Sequence, residues 1–152
     1  MIRILLILLL LPSLSYSLPK CKEKDHKKWT NCEGNIYVDG VSYMGQWKNG
    51  QLNGKGKMVW NFANNRYWGN FKNGLPNGDG EYIGLGDEEY RGEWKDGMKH
   101  GDGKYITYDG EEYIGEFIED KFEGEGTYFY LNGDKYVGEW KNGVYHGKGT
   151  YT

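Results

Sequence analysis

The sequence predicts an all-β protein: a single elongated antiparallel meander sheet of tandem β-hairpin repeats. Three observations carry that prediction. The stretch Tyr136–Gly149, YVGEWKNGVYHGKG, has four earlier copies at Tyr43–Gly56, Tyr67–Gly80, Tyr90–Gly103 and Tyr113–Gly126. Their starting tyrosines lie 24, 23, 23 and 23 residues apart, and self-similarity at a fixed short period signals a repeat architecture. Within each copy ring-bearing and polar residues alternate, and in four of the five the alternation stops at Asn-Gly or Asp-Gly, which marks a strand running into a tight hairpin turn.

Composition agrees with that frame. The 152 residues include 14 Tyr, 6 Trp and 5 Phe, so a core has to be built from rings rather than from Leu and Val. Of the 25 glycines, 19 occupy four fixed columns of the repeat and act as structural punctuation. Net charge is −3 with acids and bases interleaved. No basic stripe is present, which argues against a nucleic-acid partner and against strong attraction to an anionic membrane.

Taken in order, Met1–Ser17 reads as a signal peptide. Arg3 precedes the apolar run Ile4–Leu11, and Ser15 and Ser17 supply the small residues before a cut between Ser17 and Leu18. The run is too short to span a bilayer, which needs about 20 residues. A buried N-terminal helix is the alternative, but nothing downstream is patterned to receive it. Export, to a periplasm or the medium, is therefore expected. Residues 18–31 form a charged, irregular lead-in. Cys21 and Cys32 are the only cysteines. In an oxidising compartment they pair, and closing that short loop stabilises the entry by about 2–3 kcal/mol. Free thiols are the alternative if the chain is not exported. A zinc site lacks ligands, since His26 is the only other soft donor nearby.

Residues 32–152 are the array. Cys32-Glu33-Gly34 falls where later copies carry Gly-x-Gly, so residues 32–42 are a half repeat, and full repeats start at residues 43, 67, 90, 113 and 136. In one repeat Tyr90, Gly92 and Trp94 share a strand face while Arg91, Glu93 and Lys95 point the other way. A second alternating segment follows Gly-x-Gly, as in Lys104–Tyr108, and a second turn leads on, with Asp39-Gly40, Asp109-Gly110 and Asn132-Gly133 in equivalent places. Three columns line the ring face: Tyr43, Tyr67, Tyr90, Tyr113 and Tyr136; Trp47, Phe71, Trp94, Phe117 and Trp140; and Met58, Tyr82, Tyr105, Tyr128 and Tyr151. Cross-strand ring pairs contribute about 0.2–1 kcal/mol each. Gly45, Gly69, Gly92, Gly115 and Gly138 each leave a gap on that face for a neighbouring ring.

Two departures are expected to matter. Glu119-Asp120 replaces the Asn/Asp-Gly pair of the fourth copy and predicts a looser or different turn. Phe62–Asn65 holds the extra residue of the first interval and predicts a bulge or a longer turn. The last strand, near Gly149–Thr152, offers an open edge for pairing with another chain.

The pattern Tyr-x-Gly-x-Trp/Phe-x-x-Gly followed by Gly-x-Gly resembles the MORN (membrane occupation and recognition nexus) repeat, over residues 32–152. The resemblance implies a β-hairpin scaffold that mediates protein–protein contact, self-association or apposition to membranes, with phospholipid binding proposed in the family. Some relatives attach a kinase or methyltransferase domain; no such segment is present here, so no enzyme activity is implied.

Catalytic groupings are not expected. His100 and His146 hold one repeat position two periods apart, about 19 Å at the usual strand spacing, so they cannot share an ion and are read as polar loop residues. Glu93, Glu116 and Glu139 form an acidic column read as solvated charge beside Lys95 and Lys141. No catalytic residue, cofactor, metal or small-molecule substrate is assigned. The expected function is a non-enzymatic exported scaffold that binds a protein, or itself through the open edge. The alternatives are an envelope-associated module whose exposed rings stack on glycans or choline-like groups, or peripheral phospholipid contact.

Overall fold

The computed structural model describes residues 17–152, so the expected leader lies outside the described residues except for Ser17. Eleven strands follow in chain order: β1 (Cys32–Val38), β2 (Val41–Lys48), β3 (Gln51–Trp60), β4 (Asn65–Lys72), β5 (Leu75–Ile83), β6 (Glu89–Lys95), β7 (Met98–Ile106), β8 (Glu112–Ile118), β9 (Lys121–Phe129), β10 (Lys135–Lys141) and β11 (Val144–Tyr151). Each pairs only with its sequence neighbours, giving one open meander. The all-β repeat architecture is the one the period predicts.

Tight turns close each repeat hairpin. Asn49, Asn73, Asp96 and Asn142 have φ between +50° and +53°, and the glycines after them lie between +75° and +88°. Two successive positive φ values match the strand twist, which is why Asn/Asp-Gly recurs. The fourth copy corrects the expectation of a looser turn. Glu119 and Asp120 take φ of +50° and +67°, and Ile118 still pairs with Lys121. The neighbouring hairpin over-determines the geometry: Asp120 N–H donates to the Lys99 carbonyl at 3.1 Å, and its carboxylate accepts from Lys99 N–H at 2.8 Å. Gly74, Gly97 and Gly143 donate to the preceding hairpin in the same way, and Gly50 donates to the Trp29 carbonyl of the lead-in.

The second turns vary more than the sequence suggested. Asp39-Gly40 is a two-residue turn between paired Val38 and Val41. Asp109-Gly110 and Asn132-Gly133 instead lie inside longer loops, closed by Thr107 N–H to the Glu111 carbonyl and Tyr130 N–H to the Asp134 carbonyl. They are therefore not equivalent to Asp39-Gly40, because the half repeat has one residue fewer before Tyr43. Around Phe62 the extra residue extends pairing to Trp60 and Asn65 and leaves a longer turn.

A further correction concerns Gly-x-Gly. It does not precede the second strand but lies inside it, since β7 starts at Met98, directly after the tight turn. The register slips there: Gly92 faces Gly103 while Glu93 faces His100, leaving Gly101 and Asp102 as a bulge. The first glycine of the unit has φ of +58° at Gly101, +60° at Gly124 and +56° at Gly147, a bulge conformation that glycine adopts without penalty.

Two ladders run across the strands, the first over all eleven and the second from β2 to β11. One is glycine only, from Gly34 through Gly45, Gly56, Gly69, Gly80, Gly92, Gly103, Gly115, Gly126 and Gly138 to Gly149. Beside it runs a ring ladder from Tyr43 to Tyr151, in which Met58 is the one non-aromatic member. The repeat glycines Gly69, Gly92, Gly115 and Gly138 make room for the tyrosine of their own strand, not for a neighbouring ring. A Cβ on Gly69, Gly92 or Gly115 would meet the hydroxyl of Tyr67, Tyr90 or Tyr113 and the backbone of the opposite glycine. Lying over the glycine ladder, Tyr67, Tyr90, Tyr113 and Tyr136 donate their hydroxyls to the carbonyls of Asn70, Glu93, Glu116 and Glu139.

The core is a herringbone of these rings. Phe71, Tyr67, Trp94, Tyr90, Phe117, Tyr113, Trp140 and Tyr136 follow one another edge to face, with centroids 5.0–5.3 Å apart. That separation and tilt suit the ring quadrupole. Trp47, Trp94 and Trp140 add indole N–H bonds to the carbonyls of Gly34, Gly80 and Gly126. A sheet with one layer thus covers its core with the core itself.

The entry caps the first edge. Cys21 and Cys32 form a disulfide with a Cα–Cα distance of 5.1 Å. Cys21 N–H donates to the Glu33 carbonyl and Glu33 N–H to the Pro19 carbonyl, each at 2.8 Å. Trp29 packs edge-on against Trp47 at 5.1 Å, taking the place a preceding repeat would fill.

Candidate functional site

The first two of the three expected columns, Tyr43–Tyr136 and Trp47–Trp140, are mostly consumed by the fold. Tyr67, Tyr90, Tyr113 and Phe117 are fully buried, and Trp47, Phe71, Trp94, Tyr136 and Trp140 nearly so, while Tyr43 is half-buried. What the ring face offers to a ligand is set by a column that the repeat pattern left unassigned. Leu52, Pro76, Lys99, Phe122 and Tyr145 each pair across the tight hairpin with Trp47, Phe71, Trp94, Phe117 or Trp140. Their shared period was readable; their differing chemistry hid them.

Between this column and the Met58–Tyr151 column runs a groove with three hollows. The first, about 220 Å³, is lined by Ile36, Tyr43, Trp47 and Leu52 with His26. The central one, about 460 Å³, is floored by Met58, Tyr67, Tyr82 and Trp94, with Leu75, Lys99, Glu88 and Asp120 around it. The last, about 350 Å³, is lined by Phe122, Tyr128, Tyr130, Trp140 and Tyr145. The groove is apolar and aromatic, with charge concentrated at its centre.

Lys99 supplies that central positive charge. Its Nζ lies 4.2 Å from the Tyr105 ring centroid and 5.7 Å from that of Tyr90. Burial pushes its pKa down, and Glu88 and Asp120 oppose the shift. Burial, then Glu88, raises the Tyr82 phenol. The Tyr105 hydroxyl donates to Glu88 at 2.8 Å, Tyr128 to Glu111 at 2.6 Å and Tyr151 to Asp134 at 2.7 Å. These carboxylates form a periodic column that sequence reasoning missed. The signal was available, because each lies two residues before a repeat tyrosine.

The opposite face is charged and open, with Arg91 2.7 Å from Glu81 and Lys104 2.6 Å from Glu112. Glu139 is not merely solvated: its carboxylate accepts from Lys148 N–H at 3.0 Å and so ties down the bulge. Gln46 does the same for Lys55. Glu93 and Glu116 fold against Gly101 and Gly124 at the equivalent bulges. His100 and His146 sit in strands opposite Glu93 and Glu139, not in loops as expected. Among the described residues no group of three His, Cys, Asp or Glu side chains is placed to hold a metal, and no helix is long and apolar enough to cross a membrane.

No curated protein matches the chain. The family pattern described as MORN repeat does, at residues 43–61, 67–84, 90–112, 113–135 and 136–152. These segments begin at the five repeat tyrosines and cover well over half of the chain. MORN repeats are a non-catalytic family of protein- and membrane-binding scaffolds, and no catalytic domain is matched beside them. With its hairpin period, herringbone core and five matched segments, the chain belongs to the MORN repeat family.

Proposed function

We propose that this protein is a non-enzymatic, exported scaffold that holds a segment of a partner protein along the groove of its ring face. The observation that carries the reading is the uncovered apolar groove. The hollows over Trp47, Trp94 and Trp140 line up along one face of a sheet that has no second layer. A large exposed apolar surface rimmed by charge is characteristic of an interaction site. Export is supported by the leader sequence and by the Cys21–Cys32 bond, since disulfides persist in oxidising compartments. A photo-crosslinking residue at Leu75, on the groove, compared with one at Lys57, on the other face, tests the reading in the producing cells. Adducts from position 75 alone support it; equal adducts from both positions, or none, reject it. The mass of the protein recovered outside the cell tests export, which predicts a chain starting at Leu18.

Self-association is the second reading. β11 is exposed along its whole length, unlike every other strand, and the free side of an edge strand accepts another chain by strand pairing. Light scattering on residues 18–152 decides it: a discrete dimer supports strand addition, and a monomer at high concentration rejects it.

A further inference from the structure

Two hollows of the groove are copies of one another, displaced by two repeats. Pro76, Tyr82, Trp94 and Lys99 of the central hollow stand where Phe122, Tyr128, Trp140 and Tyr145 stand in the last one. The central hollow contains a cation of its own, the Lys99 ammonium lying 4.2 Å from the Tyr105 ring. Two repeats on, Tyr145 replaces that lysine, Phe122 replaces Pro76, and Tyr130 stands in the register of Gly84. Rings are gained and the built-in cation is lost.

The result is a box. Tyr128 and Tyr130 rings lie 4.9 Å apart, Trp140 and Tyr145 4.7 Å, and Phe122 and Trp140 5.3 Å. The Tyr130 and Tyr145 hydroxyls contact each other and close one side. Glu111 accepts from the Tyr128 hydroxyl at 2.6 Å, placing a negative charge beside the box. No Lys, Arg or His lines it. We propose that this five-ring box binds a quaternary ammonium head, the trimethylammonium of a choline-type group.

The chemistry selects that head over its competitors. Ring faces attract a cation when water is excluded. A primary ammonium brings three N–H donors that need acceptors, and the box hydroxyls are engaged with each other and with Glu111. A sugar brings hydroxyls with the same need. A trimethylammonium has no donors, carries diffuse charge and presents methyl groups to the rings. The site stands whether or not a protein occupies the rest of the groove, and its test needs no partner.

The experiment is an NMR titration of the mature chain, residues 18–152, with choline chloride, following the Trp140 indole N–H. A saturable shift at Trp140 and none at Trp47 is expected. The uncharged carbon analogue of choline, with a tert-butyl group in place of trimethylammonium, should bind at least about tenfold more weakly, the equivalent of one desolvated cation–π contact. Tyr145→Lys restores the cation that the central hollow already has and should abolish choline binding. The Trp140 indole resonance reports that this variant is folded. Phosphatidylcholine vesicles distinguish the source: co-sedimentation assigns a lipid headgroup, and choline binding without it assigns a free ligand. Absence of a saturable shift, equal binding of the uncharged analogue, or full binding by folded Tyr145→Lys overturns the proposal.

Discussion

Replacing Gly126 by alanine isolates the contact on which the sheet depends. A Cβ there would lie 2.5 Å from Tyr113 Cε2 and 2.6 Å from Cζ, and closer still to the hydroxyl oxygen. Gly126 is not in the left-handed region, so the substitution carries no backbone strain and its cost is steric. Tyr113 has nowhere to go. It is stacked on Phe122 at 3.8 Å and packed edge-on by Phe117 at 5.2 Å and Trp140 at 5.3 Å. Overpacking of this kind costs about 1–3 kcal/mol, and moving the phenol away from the Glu116 carbonyl adds about 1 kcal/mol. The expected loss is therefore about 2–4 kcal/mol, read from urea unfolding followed by tryptophan fluorescence. In a Tyr113→Leu background the colliding atoms are absent. There Gly126→Ala should be neutral, or stabilise by about 0.4–1 kcal/mol through the unfolded chain. The two changes should thus couple by about 3 kcal/mol. An equal cost of Gly126→Ala in both backgrounds would refute the claim that glycine is there for the ring of its own repeat.

Three other outcomes follow from named contacts. Burial, as the leading cause, raises the phenol pKa of Tyr67, Tyr90, Tyr105, Tyr113 and Tyr128. The folded chain keeps protons that the unfolded chain releases near pH 10, so stability is full below about pH 10 and falls above it, by up to about 1.4 kcal/mol per pH unit for each of the fully buried Tyr67, Tyr90 and Tyr113 and by less for the partly exposed Tyr105 and Tyr128. Lys99, lowered by burial, works the other way as pH rises, but it is one group against five; a urea midpoint unchanged between about pH 8 and pH 11 contradicts the buried-phenol account. Changing both Cys21 and Cys32 to serine should cost about 2–3 kcal/mol, and amide exchange should quicken in β1 and β2 but not in β10 and β11, because repeat arrays couple mainly to their neighbours. Uniform acceleration along the chain would argue instead for one global unit. Finally, Glu119→Asn relieves a long side chain held at φ +50° and should stabilise by about 0.5–1 kcal/mol; a lowered urea midpoint would show that Glu119 makes a contact worth more than the strain.

The parts of this fold that were legible in the sequence are those where a backbone requirement admits few residue types. Asn-Gly at residues 49–50 and Asp-Gly at 96–97 announce two positive φ values, and the turns are where they say. Tyr90, Gly92 and Trp94 announce one face by alternation, and that face is the core. Legibility failed where tertiary contacts took over from local preference. Glu119-Asp120 looks like a broken turn, but the Lys99 backbone holds it in the standard one. Gly-x-Gly looks like the start of a strand, because a bulge inside a strand and a turn before it use glycine for the same conformational reason. Glu88, Glu111 and Asp134 recur two residues before a repeat tyrosine, but nothing local shows that the tyrosine each one binds lies 17 residues further on.

The same division separates what builds the sheet from what gives it a function. The Tyr, Gly and Trp/Phe columns repeat nearly unchanged because Tyr67, Tyr90 and Tyr113 each pack on the Trp or Phe of their own and of the next repeat, and any change is felt on both sides. The column Leu52, Pro76, Lys99, Phe122 and Tyr145 lies one strand over, on top of those rings, and there the repeats diverge from aliphatic to cationic to aromatic. Divergence is cheap at Lys99 and Tyr145, whereas Leu52 is buried with the core. Tyr145 is half exposed, and Lys99 is held from below by the faces of Tyr90 and Tyr105, which the fold provides in any case. A single-layer sheet therefore solves two problems with one set of rings. Their edges pack against one another to make the core, and the faces left over become the floor of the groove. Five similar repeats in this way present five different surfaces, and the order of residues along that one column sets the chemistry of each.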